Sequence, residues 1–310
     1  MNMKQLAMTT LASLILTSVI GTIAPVASAA TSSVEVLLNA RKMSFPDAKP
    51  FQDENSAVMV PIRFVSEKLG AKVGWSNVAG RQTVTLKTDD HSVVMTVGST
   101  TAVIDGESKQ YDSKVILKQS RTFVPLRLVS EGLGQPVNWD QVGKWVWIGS
   151  KDVPSITDLN LKKQSIASVK KYFKTNDYFL KNSADKPYKE AAILQVKDLP
   201  VKIDGVTIYD IQPVNIDGGQ YFRVRTDRYS QPLLYLTKKE DFRLRSDVTR
   251  MMTKNGDKTM FYYFNLLSHA DVDLQGIVDK NPLRAKDLDY VMMSDTQENS
   301  LVLLSNPWRQ

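Results

Sequence analysis

A chain of 310 residues with 42% hydrophobic and 24% charged residues can bury one or two ordinary cores, which excludes a collagen-like or disordered class. The absence of cysteine excludes a disulfide scaffold, a thiol nucleophile, a Cys-ligated zinc or iron–sulfur site and an anchor through an N-terminal Cys. Forty bases against 33 acids give +7, but residues 30–150 hold 14 and 12 and residues 151–310 hold 25 and 21, so neither half carries the concentrated charge of a nucleic-acid binder.

Residues 1–29 read as a signal peptide. Lys4 lies in a short basic region, Leu6 to Ile23 is nearly free of charge, and Ala27-Ser28-Ala29 supplies small residues for cleavage before Ala30. An uncleaved anchor is the alternative, because the apolar stretch approaches the ~20 residues a bilayer needs. Gly21 and Pro25 would interrupt such a helix, so the expectation is a secreted chain, extracellular or held at the cell wall, with no stable membrane span after cleavage. Without disulfides, its durability has to come from packing and sheet hydrogen bonds.

An internal repeat follows. Met59 to Trp75 recurs 64 residues later as Phe123 to Trp139, with ten of seventeen positions identical. Each copy reads as a strand running into a short helix: Pro61 and Pro125 suit the first helical turn, and Gly70 and Gly134 suit the left-handed position after the last. Ile62, Val65 and Leu69 share one helical face, as do Leu126, Val129 and Leu133, so both faces belong in a core. Arg63 with Glu67, and Arg127 with Glu131, stand four apart and can pair along the helix. A catalytic role for these charges is the weaker reading, because they sit amid Val and Leu. Around the helices the period falls to two, in Val34 to Leu38, Thr83 to Leu86, Ser92 to Val97, Thr101 to Ile104 and Trp145 to Ile148. Asp105-Gly106 marks a two-residue hairpin, and His91, after Asp89-Asp90, reads as a solvated turn residue. The first half is therefore antiparallel sheet with two short helices.

The doubled Val-Pro-(Ile/Leu)-Arg-x-Val-Ser-Glu-x-Leu-Gly-x-x-Val-x-Trp pattern resembles the copper amine oxidase N-terminal-like, or stalk, domain over residues 34–150, a module common in secreted proteins of Gram-positive, Bacillus-related bacteria. The resemblance implies a small antiparallel sheet wrapped on helices and an accessory, non-catalytic role. It does not extend to oxidase chemistry. That chemistry requires a Tyr that becomes topaquinone in an Asn-Tyr-(Asp/Glu)-Tyr context and copper held by three His, whereas this chain has no Asn-Tyr dipeptide and two His. Lys68 and Gly132 stand where Ala is usual in the family, and Gln135-Pro136 where Ala-Lys is usual. Gly132 costs about 1 kcal/mol of helix propensity relative to Ala, which predicts a shorter second helix.

Ser150 to Ser155 reads as a connection to a second unit over residues 156–310. Thr157 to Thr175 is predicted as an amphipathic helix with Leu159, Ile166, Val169 and Phe173 on one side and Lys162, Lys163, Lys170, Lys171 and Lys174 beside them. Such a face either binds anionic polymer or lipid or is merely the solvated side of a packed helix; amphipathicity is common to both readings. From Ala191 strands dominate. Asp204-Gly205, Asp217-Gly218-Gly219 and Asn255-Gly256 mark hairpins, and Leu233 to Leu236, Tyr290 to Met293 and Leu301 to Leu304 add further strands. Alternation puts Tyr221, Arg223 and Arg225 on one strand face, either a basic-aromatic ligand surface or simply the wet face of a sheet. The fold class of the whole chain is α+β: a two-repeat antiparallel sheet with short helices, then a second α+β domain with antiparallel hairpins.

Ser268-His269-Ala270-Asp271-Val272-Asp273 is the only crowding of Ser, His and Asp. Adjacent residues do not make a triad, one His and two Asp are too few donors for a metal on their own, and a loop explains the segment equally well. No phosphate-cradling or hydrolase motif occurs. The expectation is a non-enzymatic envelope protein, without cofactor or metal, that binds an anionic or glycan wall component or another exported protein. Lys163, Lys170, Lys171, Lys174, Tyr221, Arg223 and Arg225 are the candidate anion contacts, and self-association through sheet edges is a further possibility. The rival is a secreted wall hydrolase using two carboxylates about 5 to 10 Å apart, with the stalk-like part as its targeting module.

Overall fold

The computed structural model describes residues 34–174, 176–182, 184–248, 259–266, 283–297 and 299–309. The leader, the Asn255-Gly256 turn and the Ser268 to Asp273 segment lie outside the described residues.

In the first half the two repeats meet face to face. The strand Val58–Pro61 pairs antiparallel with Arg121–Pro125, in the register Met59 with Pro125, Val60 with Val124 and Pro61 with Phe123. With a repeat of 64 residues, Val60 and Val124 are equivalent positions, so a pseudo-twofold axis passes between them. Each strand runs directly into a seven-residue helix, α1 (Ile62–Lys68) and α2 (Leu126–Gly132), with Pro61 and Pro125 one position earlier than expected, at the N-caps. Gly70 and Gly134 end the helices at φ +78° and +71°, in the left-handed region that favours glycine. Ile62, Val65, Leu126, Val129 and Leu133 share a single core with strand residues such as Val84, Leu86, Val93 and Ile148. At about 25 cal/mol per Å² of apolar surface, burying such side chains fully yields roughly 1.5–3 kcal/mol each, far more than two seven-residue helices supply through propensity.

The expected shortening of the second helix does not occur. Gly132 is buried, and a Cβ there would stand 2.7 Å from Val93 Cγ2 and 3.3 Å from Ile104 Cδ1. Close approach of helix to sheet selects glycine, and packing overrides propensity. Nor is His91 merely solvated: its Nδ1 lies 2.9 Å from Asp105 Oδ2 in the neighbouring hairpin, and its ring would meet a Cβ on Gly134. Asp105 and Gly106 adopt φ 50° and 88°, as a primed turn requires.

Two further sheets complete this half, and one of them departs from the antiparallel expectation. Glu35–Leu38 lies parallel to Trp145–Ile148, so the first and last long strands close the module side by side.

The second half contains a six-stranded and a five-stranded sheet. A core of Leu194, Leu233, Tyr235, Val291, Val302 and Leu304 from the former and Ile208, Ile211, Phe222, Val224 and Phe264 from the latter joins them. The opposite face of the six-stranded sheet, through Leu234, Leu236, Met292, Leu301 and Leu303, packs under Ile166, Val169, Tyr172 and Phe173. Burial on both faces explains why Leu301 to Leu304 is an unbroken apolar run. The hairpins at Asp204-Gly205 and Asp217-Gly218 form as expected, with positive φ at all four residues.

Residues 157–174 do not form the expected α-helix. Lys162–Ser165 is an edge strand paired with Glu190–Leu194, followed by 3₁₀ turns at Ile166–Ser168 and Lys170–Phe173. The apolar side chains are buried as the pattern implied, but spacing of three along Ile166, Val169 and Tyr172 is the period of a 3₁₀ helix as much as that of an α-helix, and sheet pairing takes the residues before it.

Candidate functional site

The seven candidate anion contacts do not converge. Tyr221, Arg223 and Arg225 lie on the strand Gly219–Thr226, whose partner Met260–Asn265 sets Arg223 over the Phe261 ring at 4.8 Å and Tyr221 edge-on to Tyr263 at 6.5 Å. Arg225 is not on a wet face. It is 3% exposed, donates from Nη1 to Asp140 Oδ2 at 2.6 Å and from Nε to Thr259 Oγ1 at 3.0 Å, and stacks at 5.1 Å over Tyr209. Asp140 belongs to the first half, so Arg225 joins the two halves. Around it Trp145, Trp147, Leu37, Ala40 and Val153 form a small apolar cluster with Tyr209 packed against it. A Cβ on Gly143 would stand 2.3 Å from Arg225 Nη1, which accounts for the glycine in that turn.

The lysines divide as well. Lys171 and Lys174 reach the two oxygens of Glu240 at 3.3 and 3.2 Å. The hydrogen bond from Lys174, then that from Lys171, holds the Glu240 carboxyl below the usual carboxylate range. Lys170 is exposed beside them. Lys163, on the edge strand, faces elsewhere. It lines a groove of about 960 Å³ together with Lys186, Lys189, Tyr188 and Asn182, and lies 3.7 Å from Glu190, the single carboxylate of that lining. Asn182 donates to Asn299 Oδ1 at 2.8 Å and holds the groove wall. A smaller cavity of about 390 Å³ adjoins it through Asn182 and Tyr188 and adds Tyr178, which is 71% exposed, with Phe179. Lys181 stands there between Asp177 at 3.6 Å and Asp185 at 3.5 Å.

The sequence reading missed Lys186 and Lys189. The interleaving of base and aromatic in Lys186-Pro187-Tyr188-Lys189 carries the signal, but the segment has no period to place it on a face. Such a groove can hold phosphate, carboxylate or sulfate groups on an extended polymer, with lysines as flexible point charges and Tyr178 of the adjoining cavity as a flat contact surface. Neither of these two cavities brings together the two carboxylates a glycosidase requires. Among the described residues no group of three or more His, Asp or Glu is placed to hold a metal ion, and no helix is long and apolar enough to cross a membrane.

In the first half, Arg127 and Glu131 pair at 3.7 Å. Arg63 and Arg127 line separate clefts, and neither Glu67 nor Glu131 joins them, so the four repeat charges do not assemble a catalytic centre. Paired strands, twin helices on one core and the duplicated Pro-to-Trp segment agree with the family that the sequence pattern resembles. Residues 37–148 match the model of the copper amine oxidase N-terminal domain. The match covers that accessory domain and no catalytic one, and it leaves the second half outside. No curated protein matches the chain. The likeness of residues 37–148 to that domain fits a non-catalytic, stalk-like module, and Arg225, Trp145 and Tyr209 tie this stretch to the sheets that follow.

Proposed function

We propose that the chain is an exported, non-catalytic protein of the cell envelope, in which the stalk-like module carries a second region that binds an anionic wall polymer. The observation that carries this reading is the lining of the second region's groove, where Lys163, Lys186 and Lys189 face a single carboxylate, Glu190. Three flexible cations along an open groove suit a chain of phosphates or carboxylates, and the exposed Tyr178 of the adjoining cavity suits a sugar unit. The leader composition of residues 1–29 supports export.

The test is retention of the chain lacking residues 1–29 on purified Gram-positive cell wall at low and at high salt. The wild type is expected to be retained at low salt and partly released by high salt, because exposed charges are screened over about 10 Å at 0.1 M ionic strength. Replacing Lys163, Lys186 and Lys189 together by Glu is expected to abolish the salt-sensitive fraction. Absence of retention at low salt, or a salt-sensitive fraction indifferent to the triple variant, would overturn the reading.

A further inference from the structure

The pseudo-twofold axis between Val60 and Val124 relates more than strands and helices: it relates two surface clefts. One, of about 480 Å³, lies between the start of α2 and the turn at Ser56; the other, of about 650 Å³, lies between the start of α1 and the turn at Ser120. Each therefore combines the helix of one repeat with the turn entering the strand of the other. Ten of the thirteen residues lining the second cleft sit 64 positions from a residue lining the first. Arg127 corresponds to Arg63, Trp139 to Trp75 and Ser56 to Ser120, the two serines both at positive φ.

The indoles are unusual for their context. Trp145 and Trp147 are buried, whereas Trp75 is 50% exposed and Trp139 36%. Both exposed rings stand on edge strands, Lys72–Val78 and Val137–Asp140; two-residue alternation puts Asn77 on the same face as Trp75, and Gln141 follows the end of the second strand. Gln141 accepts from the Trp139 indole N–H at 2.7 Å, and Lys144 stands 5.9 Å from that ring. Each cleft holds two bases and one acid: Arg127 and Lys144 with Asp112 in the first, Arg63 and Arg121 with Asp47 in the second, where Arg121 and Asp47 pair at 3.4 Å. Each lining also contains a buried hydroxyl without a partner among the described residues, Tyr111 in the first cleft and Thr122, only 4% exposed, in the second.

We propose that the two clefts are paired carbohydrate sites, each holding a short segment of a neutral or weakly charged pyranose chain. The indole supplies a flat apolar platform for one sugar face; the amides, the serine and the arginine supply donors and acceptors for ring hydroxyls and acetamido groups. With two bases to one acid, each cleft attracts a polyanion less than the lysine groove of the second region, where three bases face one acid. Duplication suits a polymer that repeats, since two weak sites on one strand combine through effective concentration.

The test uses the full mature chain, with trisaccharides of N-acetylglucosamine and of glucose titrated by calorimetry and by indole fluorescence. Two trisaccharides are expected per chain, insensitive to high salt. Trp75→Ala and Trp139→Ala are each expected to reduce the number to one, and the double variant to abolish binding while its melting temperature stays within a few degrees of wild type, because both rings are surface residues. Absence of binding by either trisaccharide at millimolar concentration, or binding that survives in the double variant, overturns the proposal. A wild-type dimer that the double variant converts to monomer also overturns it, since the indoles would then cover a second copy. Lysine-groove variants leave this binding unchanged, which separates its failure from failure of the wall-polymer reading.

Discussion

Gly132→Ala sets two physical effects of known sign against each other. Helix propensity alone favours the variant by about 1 kcal/mol, because Ala is the best helix former and Gly the worst apart from Pro. Packing opposes it. The added methyl would stand 2.7 Å from Val93 Cγ2, in a residue fully buried within a five-stranded sheet, and 3.3 Å from Ile104 Cδ1. Val93 is β-branched and has no flexible end to swing away, so the helix itself must lift off the sheet. Overpacking of this kind costs roughly 1–3 kcal/mol, and with two contacts too close the upper part of that range applies. The net expectation is a loss of about 1–2 kcal/mol, read as a lowered urea midpoint without change in the m-value. In a Val93→Ala background the clash is relieved, so a double-mutant cycle should show a favourable coupling of at least ~1 kcal/mol. An increase in stability of the single variant, or an equal cost in both backgrounds, would refute the argument that close approach selects glycine at this position.

Other expectations follow from the same contacts. Arg225→Met leaves Asp140, 12% exposed, without its buried partner and should cost about 3–5 kcal/mol, with Arg225→Met/Asp140→Leu recovering much of the loss in equilibrium unfolding. The Asp105 carboxyl is held below the usual carboxylate range first by its hydrogen bond with His91 and then by the Ser92 N–H. Its contribution is therefore complete above the unfolded-state pKa and lost as pH falls through the lower folded value. Asp105→Asn, which keeps a residue tolerant of positive φ in the turn, should flatten the decline in urea midpoint between about pH 6 and about pH 3. An unchanged acid limb would show that this carboxylate does not shape it.

Much of the first half was legible in the chain. Val60 to Trp75 and its copy carry turn chemistry, helical spacing and strand alternation that agree with one another, and local agreement of that kind points to one local structure. The length of α2 was misjudged because propensity describes a helix alone, while Gly132 answers to Val93, thirty-nine positions away in the chain. The segment after Leu161 was misjudged for a related reason: spacings of three and four do not separate a 3₁₀ turn from an α-helix, and an edge partner at Glu190–Leu194 decided the matter.

The candidate sites divide in the same way. Charge and residue type marked Lys163 and Arg225 equally, yet one lines an open groove and the other is buried against Asp140. The sequence alone determined the repeat, its hairpins and the apolar faces of its helices, because backbone preference and hydrophobic period act over a few neighbouring residues. Only the tertiary structure decided which arginine is buried, which tryptophans face solvent and that two distant copies build matching clefts, because burial and pairing depend on what the rest of the chain brings alongside.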